Sequence, residues 1–235
     1  MFMKKRIVSL CMAIVFLIAM IPPIVVHADA VDVVDSGSCG GDLAWTLDTK
    51  GTLTISGTGS MYNYGHTDSG YSVAPWYEYE EMDEITSIVV ESGVTSIGNH
   101  AFLGCYNAGE ISISDTVMII GDFAFDNCSA LVNIDIPESV IEIGSYAFSG
   151  CTSLKSISIP ESVTVLGDGV FNCCWDLKEI TFWGNAPSMF IPNNARYEYG
   201  TFWNITTTAY YPNNNPTWTT EILNEYYGGN ITWTP

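Results

Sequence analysis

Basic residues are scarce in this chain. Its 235 residues include seven Lys and Arg against 26 Asp and Glu, a net charge of −19. A surface this acidic repels phosphate backbones and anionic lipid, so nucleic acid is excluded as a partner. It favours solubility, basic partners and weak, unspecific calcium binding. Histidine is scarcer still, with three residues. Beyond the N-terminal segment only His66 and His100 remain. A Ser-His-Asp arrangement would have to use one of these two, and G-x-S-x-G does not occur. Metal spacings of the CxxC and HExxH kind are missing, and so is an EF-hand loop. "SGTGS" follows a strand but lacks the lysine of a phosphate loop. A glycosidase needs two carboxylates across a cleft, and in so acidic a chain carboxylate pairs carry no information. The sequence therefore predicts no catalytic residue, no metal ligand and no cofactor, and the chain is not expected to be an enzyme.

Long apolar runs are also lacking, with one exception. Residues 7–20 are apolar, Lys4, Lys5 and Arg6 precede them, and Ala28-Asp-Ala30 offers the small residues of a cleavage site. This reads as a secretory signal at 1–30, removed on export. The mature chain is then secreted or on the cell surface, without membrane insertion. Cleavage leaves four basic and 25 acidic residues, a net charge of −21.

What the chain does have is a period. Cys105, Cys128, Cys151 and Cys174 recur at one constant interval. Gly98, Gly121, Gly144 and Gly167 keep the same interval, and so do Phe102, Phe125, Phe148 and Phe171. A period of about 23 residues marks a leucine-rich-repeat solenoid. In "LVNIDIPESV", Ile134 and Ile136 alternate with the polar Asp135, as in a short strand with one wet face. The same L-x-x-I-x-I spacing recurs at Ile85/Ile88/Val90, Ala108/Ile111/Ile113, Leu154/Ile157/Ile159 and Leu177/Ile180/Phe182. Pro137 and Pro160 end their strands. The repeated glycine is expected at a bend of positive φ. "SYAF" and "DFAF" are expected as single helical or 3₁₀ turns. Stacked rungs would set each phenylalanine over the next, in one spine. The cysteine recurs at one phase, where a small buried hydrophobe with a weak S–H bond fits best. A disulfide ladder or a metal column is the alternative, and a bridge from Cys173 or to Cys39 stays open.

The flanks differ from the repeats. "LAWTLDTKGTLTISGTG" reads as a β-hairpin that caps the first rung. An aromatic-rich loop follows, and "APWYEYEEMDEIT" leads towards the repeats as a short helix. Trp76 and Trp218 are expected to pack the caps. After the repeats, strands are expected at 208–211 and 231–233, with a short helix at 219–226. The fold class is thus mainly β with short helical or 3₁₀ turns. It is a leucine-rich-repeat solenoid between an N-terminal β-hairpin cap and a C-terminal α+β cap. The divisions are 1–30 signal peptide, 31–84 hairpin cap and aromatic loop, 85–182 solenoid, and 183–235 C-terminal cap.

The stretches "SGSCGGDLAWTLDTKGTLTISGTGSM", "VTSIGNHAFLGC", "IPESVIEIGSYAFSGCTSLKSI" and "AYYPNNNPTWT…GGNITW" resemble secreted BspA-type leucine-rich-repeat proteins of bacteria. The resemblance covers nearly all of the chain after the signal. It implies a small solenoid on the cell surface or secreted, acting in adhesion or protein binding.

Two surfaces are candidates for that binding. The first is the outward side of the strands, where Glu91, Glu110, Ser112, Asp135, Ser158, Glu179, Thr181 and Trp183 point. It is small-featured and acidic, and suits a partner protein. The second is the aromatic loop, with Tyr62, Tyr64 and Tyr71. Exposed aromatic rings favour protein hot spots and also stack on sugars. The expected role is therefore adhesion to a protein on a host or bacterial surface. A carbohydrate-binding module that uses the exposed Tyr and Trp side chains, with a glycan as partner, is the alternative.

Overall fold

The computed structural model describes residues 32–68, 72–77, 84–191 and 200–235. Tyr71 and residues 78–83 of the expected helix before the repeats lie outside these residues, as does the signal segment. The chain opens with β1 (Val33–Ser38), β2 (Gly40–Asp48) and β3 (Thr52–Met61), an antiparallel meander. The rungs carry strands on two faces. One face has β4 (Ser87–Val90), β6 (Glu110–Ile113), β9 (Ser156–Ile159) and β11 (Glu179–Phe182). The other has β5 (Val94–Ile97), β7 (Ile119–Ile120), β8 (Glu142–Ile143), β10 (Val165–Leu166) and β12 (Ser188–Met189). Last come β13 (Thr206–Tyr210), α1 (Thr220–Asn224) and β14 (Asn230–Thr234).

The hairpin does more than cover an end. The first half of β3 pairs in parallel with β4 and the second half with β5. Gly57 and Gly59, at φ of 105° and 108°, bend the strand between these halves. One strand thus templates both faces of the solenoid. Strands of later rungs then pair with their equivalents one repeat on, as Ser87 does with Glu110 and Ile119 with Glu142.

The phenylalanines align as the period predicts. Phe102, Phe125, Phe148 and Phe171 stack with centroid spacings of 5.3, 5.5 and 6.3 Å. Trp76 heads this spine and Phe202 extends it. Phe202 follows Phe171 by more than one period, so the constant interval hides it. Tyr227 and Trp233 then meet Phe202 edge-on and end the stack. Trp76 and Trp218 are buried, as cap packing requires. β13 pairs in parallel with β11, and β14 with β13. The C-terminal segment therefore continues the stack as well as closing it.

The turn that carries each phenylalanine alternates its hydrogen bonds. His100, Phe102 and Gly104 donate to Asp122, Ala124 and Asp126 of the next rung. Ala101, Leu103 and Cys105 donate backwards along their own rung, to Gly98, His100 and Phe102. Half of the donors are thus committed to a neighbouring rung, and no α-helix can propagate.

The glycine expectation requires correction. Gly98, Gly121, Gly144 and Gly167 are not in the left-handed region. They are bare because the rungs touch there: a Cβ on Gly144 would lie 2.7 Å from Gly121 C and from Asp122 N. The left-handed positions come later in each rung. One series is His100, Phe123 and Tyr146, with φ between 55° and 57°. The other is Gly104, Asn127, Gly150 and Cys173. Left-handed backbone at a bulky residue costs on the order of 1 kcal/mol or more. Here ring stacking offsets it: His100 on Phe123 and Phe123 on Tyr146 lie 4.8 Å apart, tilted by 11° and 5°.

The described cysteines form no disulfide; Cys39, Cys105, Cys128, Cys151, Cys173 and Cys174 are all free. Cys128, Cys151 and Cys174 donate S–H bonds of 3.4, 3.3 and 3.0 Å to Phe102, Phe125 and Phe148 of the preceding rung. Cys39 and Cys105 are also buried. Burial pushes the Cys39 thiol up to about 11 and the Cys105 and Cys174 thiols up to about 12. Cys173 alone among them is half-exposed, and its left-handed backbone explains why it stands out of the series. The thiolate is the reactive form. Dithionitrobenzoate at pH 8 should therefore titrate one thiol in the folded mature chain and the others only after unfolding. Fast reaction of three or more would contradict the buried column.

Candidate binding surfaces

The strand face is not continuous. β4 and β6 join the hairpin sheet, while β9, β11, β13 and β14 form a separate sheet. Between them lie residues 133–136, which the spacing predicts as a strand. They form none, and pair with neither β6 nor β9. The opposite face remains paired through this level, by β7 with β8, and the spine stays stacked. The rungs therefore separate on one side only.

The opening leaves a groove of about 370 Å³. Ile111 and Ile134 line it with Ser112 and Asn133, and Glu110 and Asp135 supply carboxylates. The lining includes no basic residue. At one end is Gly109, in the phase where Val132, Lys155 and Lys178 stand. A Cβ on Gly109 would meet nothing closer than Ala130 O at 3.7 Å, so packing does not demand glycine there. Its missing side chain widens the groove. Ile111 and Ile113 are half-buried, whereas Ile88 and Ile157 in intact rungs are 1% and 3% exposed. Solvent reaches apolar side chains and unpaired backbone together at this level, an arrangement that an added strand or extended chain can satisfy.

Of the residues expected on the strand face, the structure brings Glu110, Ser112 and Asp135 around this groove. Glu91 is exposed just after β4, and its N–H donates to Ile55. Ser158 and Thr181 are register partners on β9 and β11, and Glu179 pairs with Ser156. They lie on the second sheet. Trp183 follows β11 and belongs to a different cleft, with Glu138, Glu161, Asn185 and Asn215. In the aromatic loop, Tyr62 is exposed. Tyr64 is half-buried: its ring meets Trp76 edge-on at 5.5 Å, and its hydroxyl donates to Cys39 O at 3.4 Å. It braces the cap. The sequence pattern missed Ile111 as a groove residue, since it sits in an ordinary core position of the repeat. The glycine at 109 was the one visible signal.

Nothing in these surfaces forms a metal centre: among the described residues, no three His, Cys, Asp or Glu side chains are grouped to hold an ion. His100 stacks on Phe123, with His66 5.3 Å away. Burial, then His66, holds its imidazole below the ordinary value. Among the described residues, no helix is long and apolar enough to cross a membrane.

A family model described as the BspA type leucine rich repeat region matches residues 75–197 in 6 copies. Among solved structures, a leucine-rich repeat protein from Eubacterium ventriosum is 30% identical, with a TM-score of 0.51. The match covers 70% of this chain and 48% of that one, so the chain spans about half its length. A leucine rich repeat protein of T. pallidum is 27% identical over 62% of this chain and 71% of its own, with a TM-score of 0.44. A leucine rich cell surface protein from Faecalibacterium prausnitzii is 27% identical over 76% and 55%, with a TM-score of 0.42. No match is found among curated proteins.

Proposed function

Since the chain belongs to the BspA-type leucine-rich-repeat family, we propose that it is an exported, non-catalytic adhesion module that binds a partner protein. The site is the strand face, and the occupant of the groove is an extended basic segment of that partner. The observation that carries this reading is the break at residues 133–136, where unpaired backbone, half-buried isoleucine and two carboxylates meet. An extended chain supplies backbone partners and apolar side chains, and its lysines or arginines match Glu110 and Asp135. Export rests on the basic, apolar and small-residue order within residues 1–30. The mature body then consists of the cap and loop at 31–84, the repeats at 85–182 and the closing segment at 183–235.

Fluorescence anisotropy with two labelled peptides tests the groove. One alternates Lys with Val, and the other alternates Glu with Val. The lysine peptide should bind, weaken several-fold between low and 0.5 M salt, and lose at least tenfold in the E110K/D135K double variant. Glu142→Lys, on the opposite face, should leave its affinity within twofold. Equal loss from Glu142→Lys would mean that bulk charge alone attracts the peptide, and the groove reading would fail. Binding of the glutamate peptide would sink it as well.

A further inference from the structure

Trp183 occupies the phase of Pro137 and Pro160, yet it is a large aromatic left 62% exposed. Its backbone is fixed, with the N–H donating to Ile159 O at 3.0 Å. Next to it, Gly184 stands in the phase of Asp115, Glu138 and Glu161. A Cβ on Gly184 would lie 2.5 Å from Glu161 Cα. The bare residue lets the rungs approach and interrupts the acidic column with a low floor. A cleft of about 790 Å³ results. Its size falls within the roughly 300–1,000 Å³ of small-ligand clefts. Glu138, Glu161 and Ser162 line it with Trp183, Asn185 and Asn215.

The far wall is held in place. Asn215 Nδ2 donates to Gly184 O and Asn185 Oδ1, both at 3.2 Å. Trp218 Nε1 donates to Gly184 O at 3.0 Å, and Ala186 N donates to Thr217 Oγ1 at 2.9 Å. On the near side the Ser162 hydroxyl is committed to Val140 O at 2.7 Å. Asn215 Oδ1 in turn accepts from Thr217 N and Oγ1, so the polar groups left to face a ligand are the Glu138 and Glu161 carboxylates and the Asn185 carboxamide, beside one flat indole.

From this combination we propose that the Trp183 cleft is a binding site for an uncharged hexopyranose residue of a polysaccharide. The apolar C–H face of a pyranose ring lies on the indole. Glu138 and Glu161 accept hydrogen bonds from its hydroxyls, and a carboxylate can accept from two neighbouring hydroxyls at once. Asn185 adds an amide at the rim. The same carboxylates, on a chain of net charge −19, repel uronic and sialic acids. Charge therefore selects neutral sugars. The site shares no lining residue with the groove at residues 133–136, and neither reading depends on the other.

Affinity electrophoresis of the mature protein tests this, in gels cast with laminarin, amylopectin, galactomannan or α-mannan. Hyaluronan and polygalacturonate serve as anionic counterparts. At least one neutral polysaccharide should retard the protein, and neither anionic one should. Trp183→Ala should weaken that retention at least tenfold, and Asn185→Ala several-fold. Trp175→Ala removes an indole that is 61% exposed outside the cleft, and should leave retention unchanged. Thermal melting should be the same for the Trp183→Ala and native chains, because the ring is exposed. Failure of all four neutral polysaccharides to retard the protein would overturn the proposal. So would equal losses from Trp183→Ala and Trp175→Ala, or stronger retention by the anionic gels.

Discussion

Phe148→Ala should cost about 3–5 kcal/mol of unfolding free energy, the range for emptying a fully buried aromatic site. Phe148 is 0% exposed and stacks on Phe125 at 5.5 Å and Phe171 at 6.3 Å. Its backbone N–H and carbonyl link to Val170 and to Cys174 Sγ. The cavity cannot close by local collapse, because the rung is pinned from both sides. In a stack of nearest-neighbour contacts, the damage also spreads along the chain. Denaturant unfolding should report the loss. Hydrogen exchange should show it first in the turns of Phe125 and Phe171, and later in the hairpin. A change below about 1 kcal/mol would place Phe148 among ordinary surface substitutions. The spine would then not be what holds the rungs together.

Gly144→Ala should cost about 3 kcal/mol, near the top of the range for overpacking. One methyl group is added, but it would lie 2.7 Å from both the carbon and the nitrogen of the Gly121–Asp122 peptide group in the preceding rung. Backbone cannot rotate away as a side chain can. Relief requires the rungs to part, which lengthens Gly144 N to Ile120 O and Ser145 N to Asp122 Oδ1 together. Gly41→Ala is the control, since a Cβ there meets nothing within 4 Å. Equal melting temperatures for the two variants would show that close approach does not explain the glycine column.

The glycines also show where sequence reasoning stops. A repeated glycine announces that a Cβ is unwelcome, but it does not say whether backbone angle or a neighbour forbids it. Here the neighbour forbids it, and that neighbour belongs to the rung before. The left-handed angle was instead carried by His100, Phe123 and Tyr146, and phenylalanine and tyrosine rarely accept it. Only the stack makes it tolerable, because each ring lies on the next. Cys173 is a similar case: it reads as a stray next to Cys174 and proves to fill a turn position used elsewhere by Gly104, Asn127 and Gly150. Phe202 was hidden for a plainer reason, since its rung is longer than the others and breaks the arithmetic that found them.

The candidate surfaces were legible only in part. Alternation placed Glu110, Ser112 and Asp135 on an outward face, because successive strand residues must point to opposite sides. It could not show that the ladder opens at their level, since residues 133–136 follow the same pattern as rungs that pair. Trp183 stood out as an aromatic at the end of the strand face, but its cleft required Glu138, Glu161 and Asn215 to converge on it from distant segments.

The amino-acid sequence by itself determined the period, the spine, the cysteine column and the acidic charge. These follow from side-chain identity repeated at a constant interval, and stacking like on like needs no further information. The tertiary structure decided which backbone angles are strained, where one face of the stack parts, and which polar groups surround Trp183. Those outcomes depend on distances between rungs. Such distances are a balance of contacts over the whole stack, and no single repeat encodes them.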